Sequence, residues 1–181
     1  MENVDSRNVI DKYKRLTEWT TQLIKEDLQA TAFPYAVLME NLLGDFNLGS
    51  VIRSSNAFNA KEVFYLGNKK YDRRGTVGTH HYTNVNHLPN HEALKKLKEK
   101  YVFVALENSV DGAVTLDRFE WPDNALIILG EEGCGITKDT LALCDYCVFI
   151  PQYGSVRSLN AAVASSIAMN DYVTKYNRKN Q

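Results

Sequence analysis

Five short runs of apolar residues recur along the chain, and most are followed closely by Gly or Asn. They are rich in Val, Ile, Phe and Tyr and almost uninterrupted by polar residues, which is typical of strands covered on both faces. The predicted strands span residues 36–39, 62–66, 101–106, 125–129 and 146–150. The pattern therefore predicts a buried sheet.

Stretches with helical spacing of apolar residues alternate with these runs. The predicted helices span residues 49–59, 90–100, 137–143 and 158–176, with an amphipathic helix at 6–28 before the first strand. Because strand and helix alternate, we expect an α/β fold with a mostly parallel sheet and helices on both faces. We expect residues 1–30 to form an N-terminal helical extension and residues 31–181 to form one domain.

Unusual loops follow four of the predicted strands, at residues 40–49, 67–89, 130–136 and 151–158. In a parallel sheet the carboxyl ends of the strands meet at one edge, where ligands bind. The sequence therefore predicts a ligand site built from these loops.

The composition is that of a globular protein, with 44% hydrophobic and 24% charged residues. The longest candidate for an uncharged apolar run, residues 158–170, is too short to span a bilayer, and no secretory signal is visible. We expect a cytoplasmic protein without a membrane span. Three cysteines fit reduced thiols better than a disulfide framework.

The net charge of −1 hides an uneven distribution along the chain. Residues 61–101 hold nine Lys and Arg against four Asp and Glu, whereas residues 102–147 hold two against nine. Such a basic segment permits contact with a polyanion such as RNA, although solvated helix faces explain it equally well. Within it, residues 68–75 mix cations with an aromatic side chain and are the candidate RNA-contacting loop.

Several familiar motifs fail on inspection. The glycine-rich segment 44–50 lacks the lysine of a phosphate-binding P-loop. Gly130, Gly133 and Gly135 have the reverse of the dinucleotide-binding spacing. Cys144 and Cys147 form one C-x-x-C without a second ligand pair, so no metal is expected.

Three segments remain that a plain scaffold does not explain. Residues 47–58 run from a turn into a helix whose start carries Asn47, Ser50 and Arg53, and residues 129–136 form a glycine-dense loop after a strand. Residues 150–160 precede a helix rich in Ala and Ser, for which Ser158 is a suitable N-cap. Such small residues predict close packing, either within a knot-like backbone or at a subunit interface.

The three segments read N-x-G-x-x-x-R-x-x-x-A-F, L-G-x-E-x-x-G-I and I-P-x-x-G-x-x-x-S-L-N, in that order. This ordered triple resembles the motifs of the SpoU-type branch of the SPOUT RNA methyltransferases, over roughly residues 36–172. The resemblance implies an α/β fold with a C-terminal deep trefoil knot, a homodimer, and S-adenosylmethionine bound in the knotted loops. It implies methyl transfer to a ribose 2′-hydroxyl of tRNA or rRNA.

The resemblance also implies roles for individual residues. The implied active-site set is Asn47, Arg53, Glu131, Ser158 and Asn160, and the implied cofactor contacts are Leu106, Gly130, Ile150 and Leu159. Arg53 is expected to grip a phosphate beside the target ribose, because guanidinium binds phosphate through two hydrogen bonds and stays protonated. Glu131 is expected to orient Asn47 or Arg53.

Two other functions fit the same fold. One is methylation of an RNA base, and the other is RNA binding or ribosome assembly without catalysis. The arginine and S-L-N motifs favour ribose as the acceptor, and the complete set of motif residues favours an active enzyme.

Overall fold

The computed structural model describes residues 20–41, 47–108 and 110–181. Over these residues, seven strands form one sheet in which every neighbouring pair is parallel. The strands are β1 (Phe33–Asn41), β2 (Ala60–Gly67), β3 (Val85–Leu88), β4 (Val102–Leu106), β5 (Val114–Thr115), β6 (Ala125–Leu129) and β7 (Tyr146–Phe149). Their spatial order is β3-β2-β1-β6-β4-β7-β5. The predicted parallel α/β sheet is confirmed.

Five α-helices accompany the strands in the described part of the chain. They are α1 (Thr21–Ala30), α2 (Asn47–Ala57), α3 (His91–Lys96), α4 (Lys138–Leu141) and α5 (Ala161–Lys179). The Thr20 side chain caps α1 by accepting the Leu23 N–H. Most of the helix predicted at 6–28 lies outside the described residues. No described helix is both long and apolar enough to cross a membrane.

The sheet separates two hydrophobic cores, because side chains of each strand alternate between its faces. On β1, Val37 and Met39 join the core under α2 and α5, whereas Ala36 and Leu38 join the core under α3 and α4. All of these side chains are fully buried. Burial on both faces explains why the strands read as continuous apolar runs.

Helix α5 is fixed to the sheet by aromatic contacts and to α2 by small residues. The rings of Tyr172 and Tyr35 lie 4.3 Å apart. The Tyr172 hydroxyl donates to the Asp123 carbonyl at 2.6 Å. Towards the start of the helix, Ser166 donates to Ser54 of α2 at 2.9 Å. Such short side chains let the two helices approach closely, as the Ala and Ser content predicts.

The structure differs from the predicted elements in several places. Strands β3 and β5 were not predicted, because β3 contains Asn86 and His87 and β5 has only two residues. The helix predicted at 90–100 divides into α3 and a 3₁₀ turn at Leu97–Glu99. The helix predicted at 137–143 shortens to the four residues of α4. The helix predicted at 158–176 begins at Ala161, with Asn160 rather than Ser158 as its N-cap.

Candidate functional site

A cavity of about 440 Å³ lies at the carboxyl ends of β4, β6 and β7. Leu106, Leu129 and Ile150, at the ends of these strands, give it an apolar lining, and the start of α5 closes one side. Its volume falls within the roughly 300–1,000 Å³ range of small-molecule sites. Of the four loops predicted to form a ligand site, 130–136 and 151–158 contribute to the lining of this cavity, whereas no residue of 67–89 or of the described part of 40–49 does.

The four residues predicted to contact a cofactor all line this cavity. Leu106 is the last residue of β4, Gly130 follows β6, and Ile150 and Leu159 belong to the segment after β7. Glu131 and Ser158, from the predicted active-site set, line it as well. Asn47 and Arg53 belong to α2, outside the cavity wall.

The glycine-dense loop closes on itself more tightly than any side chain would permit. A Cβ on Gly130 would lie 2.0 Å from the Gly135 carbonyl carbon. Gly135 has φ +68°, and its N–H donates to the Glu131 carbonyl at 3.0 Å. The loop therefore requires glycine at both positions and presents backbone to the cavity.

Glu107, directly after β4, holds this loop in place. Its carboxylate accepts the Ile136 N–H at 2.9 Å and the Asn108 N–H at 2.9 Å. A Cβ on Gly135 would meet Glu107 Oε2 at 2.6 Å, so the carboxylate packs directly against the loop backbone. Glu107 lines the cavity and belongs to none of the three motifs.

A second carboxylate, Glu40 at the end of β1, fixes the far end of the loop. It is fully buried and accepts the Thr137 N–H at 2.8 Å, the Thr137 hydroxyl at 2.6 Å and the Thr140 hydroxyl at 2.5 Å. Thr137 is the N-cap of α4. These bonds satisfy a buried carboxylate and anchor residues 130–136 between β6 and α4.

Asn47, Glu132 and Asn160 form a hydrogen-bonded network that joins all three motifs. The Asn47 Nδ2 donates to Glu132 Oε2 at 2.8 Å. The Asn160 Nδ2 donates to Asn47 Oδ1 at 2.8 Å and approaches Glu132 Oε2 at 3.4 Å. Asn160 Oδ1 accepts the N–H groups of Ala162 and Val163 at the start of α5. The network therefore fixes α2 and α5 beside the cavity.

In this network Glu132 accepts from Asn47. The expectation that the neighbouring Glu131 orients Asn47 or Arg53 stays a prediction. Glu131 is only 6% exposed, forms a backbone bridge with Gly135 and lines the cavity. The tight turn at the glycines directs the two neighbouring carboxylates to different surroundings. Sequence reasoning missed Glu132, although the glutamate of the L-G-x-E motif falls on it.

Arg53 lies on the exposed face of α2, six residues beyond Asn47. At the helical rise of 1.5 Å per residue, the two residues are separated by about 9 Å along the axis. Ser50 lies between them and lines a shallow groove that Asn160 and α5 also border. Asn47 is thus tied to the cavity, whereas Arg53 faces solvent beside it.

The predicted RNA-contacting loop packs on the start of α2. A Cβ on Gly49 would lie 2.8 Å from the Asp72 carbonyl oxygen and 3.0 Å from the Gly75 Cα, so two backbones meet there. Hydrogen bonds from Arg74 lower the pKa of the partly buried Asp72 carboxyl. Lys69 and Lys70 are exposed. The loop therefore brings basic residues next to the helix that carries Arg53.

Cys144 and Cys147 are free, partly buried thiols. Burial, with a smaller contribution from Cys147, raises the pKa of the Cys144 thiol to about 12, and burial also raises the pKa of Cys147. Both shifts favour the protonated thiol at neutral pH. Among the described residues, no cluster of three or more His, Cys, Asp or Glu side chains is arranged to hold a metal ion.

The chain was compared with known protein families, proteins and structures. Residues 34–170 match the model of the SpoU rRNA Methylase family. The chain is 28% identical over 148 residues to the tRNA (guanosine(18)-2′-O)-methyltransferase of Escherichia coli K12, covering 80% of this chain and 64% of that protein. It is 26% identical over 146 residues to a 23S rRNA (guanosine-2′-O-)-methyltransferase of Neisseria meningitidis, covering 76% and 57% respectively.

A solved structure agrees with the sequence comparisons. The SpoU methyltransferase AviRb of Streptomyces viridochromogenes, in complex with the cofactor AdoMet, superposes with a TM-score of 0.71 at 25% identity. The match covers 83% of this chain and 61% of AviRb. The chain thus spans about three fifths of the length of each of these three relatives. Because the family match covers all three motifs and the sheet that holds them, the chain belongs to the SpoU rRNA methylase family.

Proposed function

We propose that this protein is an S-adenosylmethionine-dependent methyltransferase that modifies a ribose 2′-hydroxyl of tRNA or rRNA. The observation that carries the proposal is that the network of Asn47, Glu132 and Asn160 brings three distant motifs together beside one cavity. Relatives named as 2′-O-methyltransferases of tRNA and of 23S rRNA support the reaction and both classes of RNA.

The cavity fits S-adenosylmethionine. Leu106, Ile150 and Leu159 supply an apolar wall for an adenine ring, and Gly130 leaves backbone free for close approach. Gln152 lines the same cavity, and its Oε1 is buried without a hydrogen-bond partner among the described residues. An acceptor left in this state is suited to a ligand N–H or O–H.

When bound, the cofactor supplies a methyl group on a sulfonium, ready for in-line transfer to an oxygen. The protein's task is then mainly to orient the acceptor. We assign this to Asn47 and Asn160, held by Glu132 at the mouth of the cavity, with Ser158 on the cavity wall. Glu131, predicted as catalytic, contributes to the cavity wall in this scheme.

Arg53 is proposed to bind the phosphate next to the target ribose. Its guanidinium is exposed and lies on the same helix as Asn47, so it meets RNA outside the cofactor cavity. The basic loop packed on the start of α2 extends this surface. RNA is the expected substrate because the 2′-hydroxyl is itself the methyl acceptor.

We propose that the protein is a homodimer formed through α5 and α2. Val163 and Ile167 on α5 are apolar yet 49% and 38% exposed, and they border the groove that includes Ser50 and Ser54 of α2. Such exposed apolar side chains mark association surfaces. Light scattering of the purified chain should give the mass of a dimer. The variant Ile167→Asp should give the mass of a monomer. If the unsubstituted chain were a monomer, the proposed dimer would be refuted.

We propose that the C-terminal segment forms the trefoil knot implied by the family resemblance. The Asn108 Nδ2 donates to the Arg157 carbonyl at 3.2 Å, so the segment after β7 lies against the segment after β4. An experimental structure whose backbone forms no knot would refute this. The N-terminal extension at 1–30 and the cytoplasmic location stay predictions.

The function is tested by incubating the protein with methyl-labelled cofactor and total tRNA or rRNA from a strain lacking the gene. We expect label in one RNA class, mapped by mass spectrometry to a 2′-O-methylated nucleotide. Label on a base would instead identify a base methyltransferase. Cofactor binding without label in either class would favour the RNA-binding alternative.

A further inference from the structure

The wall of the cavity is negatively charged. Three carboxylate side chains line it, those of Glu107, Glu131 and Glu132, and its described lining residues include no Lys, Arg or His. Gln152 adds a buried acceptor oxygen that has no partner within the described residues. The site therefore offers negative charge and acceptors to whatever binds there, and it favours a cationic ligand.

Glu107 is the carboxylate whose position is best explained by a role in the cavity. Glu132 is engaged by Asn47, and Glu131 is part of the glycine-loop bridge. Glu107 comes directly after β4, and both of its oxygens accept backbone N–H groups. A carboxylate held by two backbone bonds cannot swing away into solvent, so its charge stays at the cavity wall.

We propose that Glu107 makes the cavity discriminate between S-adenosylmethionine and its demethylated product. This inference rests on the proposed function. The cofactor carries a sulfonium and an ammonium against one carboxylate, whereas S-adenosylhomocysteine has a neutral thioether and one positive charge fewer. A fixed negative charge stabilises the cation more strongly in a partly enclosed site than in water. Glu107 thereby favours cofactor entry and product release.

The proposal is tested by calorimetric titration of the full chain with S-adenosylmethionine and, separately, with S-adenosylhomocysteine. Glu107→Gln should weaken binding of the cofactor about tenfold and of the product about twofold, so that selectivity falls about fivefold. Glu107→Asp keeps the charge but shortens the reach to Ile136. It should weaken both ligands by a similar factor and preserve selectivity.

Asp111→Asn is the matched control, because Asp111 is exposed in the same connection after β4 and does not line the cavity. It should leave both affinities unchanged. Thermal melting of each variant establishes that the chain is folded at the titration temperature.

The outcomes separate the inference from the function on which it rests. Equal weakening of both ligands by Glu107→Gln would show that the residue only clamps the glycine loop, and would overturn the inference alone. Loss of selectivity in Glu107→Asp or Asp111→Asn would overturn it too. Failure of the unsubstituted chain to bind S-adenosylmethionine would overturn the proposed function as well.

Discussion

The cofactor cavity and the exposed face of α2 beside it have opposite charge and opposite packing. The cavity is built from buried backbone, with carboxylates at its wall and glycines pressed together. The face of α2 carries Arg53 and is extended by the basic loop at 68–75, with side chains in solvent. The two regions are joined by Asn47, whose amide reaches Glu132.

This contrast follows from what each region is proposed to bind. A small cationic cofactor needs an enclosed site of fixed shape, and enclosure strengthens electrostatic attraction. RNA presents a repeating negative backbone that solvent-exposed cations can follow, at the cost of strong salt dependence. We therefore expect substitutions in the cavity to affect folding and cofactor affinity, and substitutions on α2 and its loop to affect only events that involve RNA.

The largest effect should come from Gly130→Ala. The added methyl would lie 2.0 Å from the Gly135 carbonyl carbon, and neither backbone has room to move. Overpacking of this kind costs about 3 kcal/mol or more. A loss of that size lowers the melting temperature of a chain of this length by about 6–12 °C. We expect S-adenosylmethionine binding to be lost in calorimetry.

Gly154→Ala is the control for this substitution. A Cβ on Gly154 meets nothing within 4 Å, and the residue lies in the segment after β7. Its melting temperature should stay close to that of the original chain. If Gly130→Ala bound cofactor normally, the close approach of the loop backbones would not be what shapes the cavity.

Arg53→Ala should have the next largest effect, and only on steps that involve RNA. Loss of a charged hydrogen-bond donor at a reacting centre lowers kcat by about 10²–10³. Cofactor affinity should stay within about threefold, because Arg53 does not line the cavity. Steady-state kinetics with RNA and calorimetry with cofactor measure the two quantities.

Arg53→Lys sharpens this prediction, since lysine keeps the charge but not the two-pronged donor. It should recover little of the lost rate. Arg118→Ala removes an exposed arginine from the connection between β5 and β6 and should leave turnover unchanged. Normal methylation by Arg53→Ala would contradict the assignment of this residue.

Most of the cavity could be predicted from the sequence because its position depends on the order of strands and loops along the chain. The carboxyl ends of parallel strands meet at one edge, which predicted a site built from the loops that follow them. The family resemblance implied Leu106, Gly130 and Ile150 as cofactor contacts, and all three line the same cavity. The strands with long apolar runs were also predicted. The short strands β3 and β5 were not, because their few residues carry no periodic signal.

The parts that could not be predicted depend on contacts between distant residues. Glu107 is a single acid after a strand, and its role appears only when β4 lies beside β6 and brings Ile136 to its carboxylate. Glu131 and Glu132 are adjacent and chemically alike, so only the turn at the glycines decides which one meets Asn47. Ser158 and Asn160 have similar N-cap preference.

The smallest effect should come from the double substitution Lys69→Ala and Lys70→Ala, which tests whether the basic loop belongs to the RNA surface. Both side chains are exposed, and the loop packs on the helix that carries Arg53. Each phosphate contact contributes about 0.7–0.9 to the slope of log affinity against log salt. Removing two contacts should lower the slope by about 1.4–1.8, weaken RNA binding several-fold and leave cofactor binding unchanged.

The matched control is Lys95→Ala with Lys96→Ala on α3, which removes the same charge from the helix that packs on the other face of the sheet. Lys95 is already paired with Glu92 at 2.8 Å. If the two double substitutions lowered the slope of log affinity against log salt equally, the net charge of the chain would govern RNA affinity. A change in slope confined to the 69/70 pair would instead identify the loop on α2 as the surface where RNA is held beside the anionic cavity.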